Sequence, residues 1–180
     1  DGEGQSAEVT VKIHKLKAPE HVQRVRLTGF QPYWRHGGAQ VKPEPDLSDP
    51  NTWELGKVVE KKTLKTLPDG SGSLSVTLKS GLYRAVLATE DRFEKPVSAL
   101  LPIRVVDVKA KTCKLQVPNV VAAPAWSVQP GDSFTALWGS GYETARAYVE
   151  IEHRAKMVKA FWTDDKRTQE VLEQVVTEEM

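Results

Sequence analysis

Residues 9–14 read Val9-Thr10-Val11-Lys12-Ile13-His14, and their alternation decides the fold class. Successive side chains of a strand point to opposite faces, so Val9, Val11 and Ile13 share one face and Thr10, Lys12 and His14 the other. The same period of two recurs outward along the chain. Lys57 to Leu64 is extended; Leu74, Val76 and Leu78 alternate; Tyr83, Ala85 and Leu87 oppose Leu82, Arg84 and Val86. Val97 to Val108 and Cys113 to Val117 continue the pattern, as do Phe134 to Trp138 and the set Ala147, Val149, Ile151 and His153. Lys156 to Thr163 closes a hairpin through Arg154-Ala155, while His21 to Leu27 is a weaker strand.

The turns between these runs have their own chemistry. Pro68-Asp69-Gly70-Ser71-Gly72 and Gln129-Pro130-Gly131-Asp132 each combine a proline that presets φ with a glycine that accepts positive φ. Over residues 168–180, Val171, Leu172, Val175 and Val176 also fit helical spacing, with Thr168 as a cap. The β-branched content and the surrounding strands favour a strand there.

Strands at this spacing predict an all-β protein, an antiparallel β-sandwich of the immunoglobulin-like kind. The expected division is a complete module over 1–110 and the start of a second over 111–180. The boundary is signalled by Pro118, Pro124 and Pro130. From Asp132 onward too few strands remain for a full sandwich, so the second module is truncated or borrows strands from the preceding segment. The first module carries a long loop, 29–56, in which Pro32, Pro43, Pro45 and Pro50 exclude regular structure. The chain opens on Asp-Gly-Glu-Gly and closes on Thr-Glu-Glu-Met, which reads as a segment of something longer.

Composition narrows the function. Among 180 residues, 25 Lys and Arg face 24 Asp and Glu, so the totals give no support to nucleic acid as a partner. No apolar run is long enough to span a bilayer, and no signal-peptide pattern opens the chain. The one cysteine, Cys113, excludes an internal disulfide.

A search for catalytic, cofactor or metal chemistry leads to no such site. Gly-Ser-Gly at 70–72 lacks the lysine and the helix of a phosphate loop. His14, His21, His36 and His153 have no metal-ligand spacing, and His153 beside Glu150 and Glu152 reads as an edge histidine. Asp164-Asp165 and the acids Glu90, Asp91 and Glu94 read as polar turns, since neither matches a calcium loop. Tyr33-Trp34-Arg35-His36 and Trp53 place aromatics in or beside the long loop. Such rings either stack on a ligand or pin the loop to the sandwich.

Several strings resemble one family. Trp53-Glu54-Leu55-Gly56-Lys57-Val58-Val59, Gly81-Leu82-Tyr83-Arg84-Ala85 and Thr89-Glu90-Asp91-Arg92-Phe93 look like a module of bacterial alpha-2-macroglobulin-like proteins. Ser127-Val128-Gln129-Pro130-Gly131-Asp132, Leu137-Trp138-Gly139-Ser140-Gly141-Tyr142 and Arg146 through Arg154 resemble the adjoining macroglobulin domain. The resemblance implies macroglobulin-type domains, no enzymatic activity, and a parent that traps proteases outside the cytoplasm, in the periplasm, envelope or extracellular space. Its partners would be proteases and the neighbouring domains of the same chain. The family's thioester needs Cys-x-Glu-Gln, whereas Cys113 is followed by Lys-Leu-Gln, so that site is absent here. Under this reading loop 29–56, with Arg35 and Lys42 open to a trypsin-like protease, is either a bait segment or an ordinary insertion. A reading from another class is a carbohydrate- or surface-binding sandwich with Tyr33, Trp34 and Trp53 as its platform.

Overall fold

The computed structural model describes residues 4–25 and 45–179. They form nine strands, every pairing is antiparallel, and no α-helix occurs among the described residues. The protein is all-β and sandwich-like. Its described residues fall into two compact units, one drawn from Asp1–Ala18 and Pro50–Val106, the other from Pro19–Asp49 and Asp107–Met180. The division falls at Val106, and the long loop is shared. Its described residues up to Asp49 belong with the second unit, and Pro50 onward with the first.

The first unit is a four-stranded sheet in the order β2-β1-β3-β4. Its strands are β1 (Glu8–Leu16), β2 (Leu55–Lys65), β3 (Gly81–Glu90) and β4 (Pro96–Val105). The alternation read in the sequence sets the register. Ile13 lies opposite Ala85 and Val11 opposite Leu87, so the apolar set of each strand lands on one face. Val11, Ile13, Tyr83 and Ala85 are buried there, and Val9, Leu64, Leu87, Ile103 and Val105 pack around them.

Val76 and Leu78 pack onto the same cluster from the extended segment 71–79, which joins no ladder. A strand was expected through Leu74, Val76 and Leu78. Val76 and Leu78 are half-buried and Leu74 is exposed; the alternation carries no information on main-chain pairing. Two turns close the sheet. At 67–71 the Gly70 amide donates to Leu67 O, Asp69 Oδ1 accepts from the Ser71 amide and hydroxyl, and Gly70 takes φ 80°. Between β3 and β4, Glu94 takes φ 60° and its amide donates to Asp91 O, the form of a three-residue hairpin loop.

The second unit holds a three-stranded sheet, β5-β6-β9, and a two-stranded hairpin, β7-β8. Its strands are β5 (Val120–Ala122), β6 (Ser133–Gly139), β7 (Tyr148–His153), β8 (Lys156–Trp162) and β9 (Gln169–Val175). β5 comes from the segment before Asp132, one of the two ways expected for supplying a missing strand. Residues 169–175 are a strand paired along the whole of β6. Val120, Ala136, Leu137 and Trp138 form the buried interior with Cys113, Leu115 and Val117.

The last three alternate inward as read, yet no strand forms there. The Cys113 amide donates to Thr168 Oγ1 at 3.1 Å and the Val117 amide to Leu115 O at 2.8 Å, so neither joins a ladder. The described part of the weaker candidate at His21 to Leu27, up to Val25, is likewise not a strand. At 129–132, Gly131 takes φ 95° and the Asp132 amide donates to Gln129 O, completing a proline–glycine turn.

Candidate functional site

The candidate contact and cleavage residues gather in the proline-rich segment. Tyr33, Trp34, Arg35 and Lys42 lie outside the described residues, as does His36. Within the second unit the segment's described end is a tight turn. Asp46 Oδ1 accepts from the Ser48 amide at 2.9 Å and from its hydroxyl at 2.7 Å, and the Asp49 amide donates to Asp46 O.

Within the first unit the chain resumes as a single 3-10 turn, Pro50–Thr52, followed by Trp53. Arg84 points to the sheet face opposite the apolar cluster. Its guanidinium donates to Pro50 O at 2.9 Å and to Trp53 O at 3.4 Å. The Trp53 side chain is 3% exposed. A buried indole has no open face for a ligand, so Trp53 drops out of any stacking platform. Lys17 and Glu54 reinforce the same place, main chain to main chain at 3.0 Å and side chain to side chain at 2.9 Å. His14 Nδ1 meets Gly56 O at 3.0 Å. The sequence marks Arg84 as a strand position and as part of a family-like string; the guanidinium's partners lie more than thirty residues away, and no local pattern signals them.

A second cluster went unnoticed in the sequence because its members lie on different strands or before them. On the β7–β8 hairpin, Tyr148 pairs with Trp162, their rings 5.0 Å apart and tilted by 47°. Arg146 lies 4.4 Å from the Trp162 ring centre. Both aromatics are about half exposed, at 51% and 54%. The guanidinium lies over the Trp162 ring, so the patch sets a positive charge beside its two half-exposed aromatics.

Elsewhere several polar groups are committed to the fold. An open groove of about 1030 Å³ runs past Gln5 to Thr10 and Ala88 to Phe93. Along it Ser6 Oγ donates to Thr66 O, Thr89 Oγ1 donates to Glu8 O, and Asp91 Oδ1 accepts the amides of Phe93 and Lys95. Asp164 Oδ1 accepts the Lys166 amide, and Asp164 Oδ2 faces Arg167 Nε at 3.3 Å. Among the described residues no three His, Cys, Asp or Glu side chains gather to hold a metal ion. No helix there is long and apolar enough to cross a membrane.

Two carboxylates are held below their ordinary range. Hydrogen bonding and charge from Lys17 act on Glu54, and hydrogen bonds from Ser71 act on Asp69. Burial pushes the Cys113 thiol up, away from the thiolate a nucleophile needs.

Scans of the chain against known protein families, curated proteins and solved structures return no match.

Proposed function

We propose that the chain is a non-catalytic structural segment of a large alpha-2-macroglobulin-like endopeptidase inhibitor, a protease trap that works outside the cytoplasm. The supporting observation is where the residues of the family-like strings stand. Trp53 is buried, Arg84 ties the chain before it to β3, and Tyr83 Oη donates to Lys79 O at 2.8 Å. Gly131 supplies the positive φ of its turn. Gly139 and Gly141 lie where the segment 113–117 passes closely: a Cβ on Gly139 would sit 3.2 Å from Cys113 Cβ, and one on Gly141 would collide with Leu115 O. Residues that carry the resemblance thus serve to hold strands and crossings in place, which suits a module that bears and transmits shape.

In this reading the chain meets proteases through the longer protein, and its immediate partners are neighbouring domains. Cys113, buried and followed by Lys-Leu-Gln, takes no part in covalent capture. The segment 29–56 is where a protease meets this region. Limited digestion with trypsin, followed by mass spectrometry, tests that assignment. The first cut falls after Arg35, since Pro43 shields the bond after Lys42 from trypsin, while both β units resist; a first cut inside a unit, with 29–56 intact, contradicts it.

A further inference from the structure

The outer edge of the first unit's sheet carries an interaction surface of unusual symmetry. Among the described residues β4 is an edge strand, and every residue from Pro96 to Pro102 is exposed. Val97, Leu100 and Leu101 are 49%, 62% and 54% exposed, so apolar side chains stand open on both faces of the strand. Exposed apolar edges of this kind invite another strand.

The two prolines define which groups are available. Pro96 pairs with Glu90 and Pro102 with Arg84 in the β3–β4 register. A proline has no N–H to give, so both stand where the ring nitrogen faces away from β3. Alternation then turns the main-chain groups of Ser98 and Leu100 outward, while Val97, Ala99 and Leu101 bond to β3. The open edge is therefore a short window centred on Ala99 and closed at each end by a proline.

We infer that this window pairs with the same window of a second copy of the chain, antiparallel about a two-fold axis at Ala99. In that register Ser98 and Leu100 exchange N–H···O bonds, repeated by the two-fold. Val97 meets Leu101, Ala99 meets Ala99, and the exposed apolar residues cover one another. Pro96 falls opposite Pro102, so the ladder ends at the same place on both sides. Because the contact uses the same patch on both partners, it closes as a dimer and does not grow into a fibre. A single short edge covers less than the roughly 1,200 Å² of a stable interface, so the dimer forms in the high-micromolar range.

Sedimentation of the 180-residue chain up to about 1 mM tests this, together with two variants. Leu100→Pro removes an outward donor on both copies without touching a bond to β3. It raises the dissociation constant about tenfold or more while far-UV circular dichroism stays unchanged. Ala99→Cys places two thiols across the two-fold in a non-hydrogen-bonded pair, close enough to join under mild oxidation. That link forms at least about tenfold faster than one from Val97→Cys, whose opposite residue is Leu101; peptide mapping separates it from Cys113. A chain monomeric throughout the range overturns the inference. So does a dimer indifferent to a folded Leu100→Pro variant, or equal linking rates for the two cysteine variants. If Leu100→Pro does not fold, the linking rates decide.

Discussion

Trp53 has a defined energetic role. Its indole is 3% exposed, and the main chain around it is held by Arg84. Truncation to alanine removes a large buried surface and leaves a void, so Trp53→Ala lowers the stability of the first unit by about 3–5 kcal/mol, read from urea denaturation. Sequence placed this tryptophan beside the loop and left open whether it binds or anchors. Burial separates those readings, and burial depends on strands far away in the chain.

Cys113 makes a separate prediction through pH. Burial raises its pKa in the folded state, so the folded chain keeps the proton where the unfolded chain loses it. Stability from this group is complete below the unfolded thiol pKa, about 8.5, and declines as pH rises from there through the folded value. The urea midpoint of the second unit therefore falls with pH in the alkaline range. Cys113→Ala removes that part of the slope, and native alkylation of the thiol is slow.

At the scale of elements, the β7–β8 hairpin turns through Arg154 and Ala155, with φ of 48° and 60°. Two positive φ values in succession suit asparagine and glycine far better than arginine and alanine. Ala155→Gly relieves the left-handed conformation and stabilises the hairpin by about 1 kcal/mol, measured by thermal or urea unfolding. The hairpin itself was legible from alternation on either side of Arg154-Ala155; the strain at its tip was not.

Residues 71–79 and 113–117 mark the limit of such reading. Both have the alternation of strands and both send apolar side chains inward, yet neither joins a ladder. Period two reports the environment of side chains, whereas pairing depends on where each amide finds an acceptor. For Cys113 that acceptor is Thr168 Oγ1. Residues 169–175 show the reverse: a helix-like spacing yields to pairing along β6, because a neighbouring strand satisfies every second amide.

Over the whole molecule, the chain divides into two compact units, and two unfolding steps that mutation separates are the expected outcome. Trp53→Ala moves the first unit's transition and leaves the alkaline, Cys113-linked transition of the second in place, as denaturation at two pH values reads directly. Proline spacing led to an expected division at 110/111, whereas the compact units divide after Val106 and the second also takes in Pro19–Asp49. The placing of Pro19–Asp49 with the second unit was not visible, because Val22 beside Gly141 joins residues distant in sequence.

The proposed role of this chain is to serve protease trapping through its fold. It is tested most directly by mixing the longer protein that the proposal requires with trypsin and following two substrates. If the proposed role holds, cleavage of a large protein substrate falls while cleavage of a small peptide substrate persists. Retention of both activities, or equal loss of both, would contradict it.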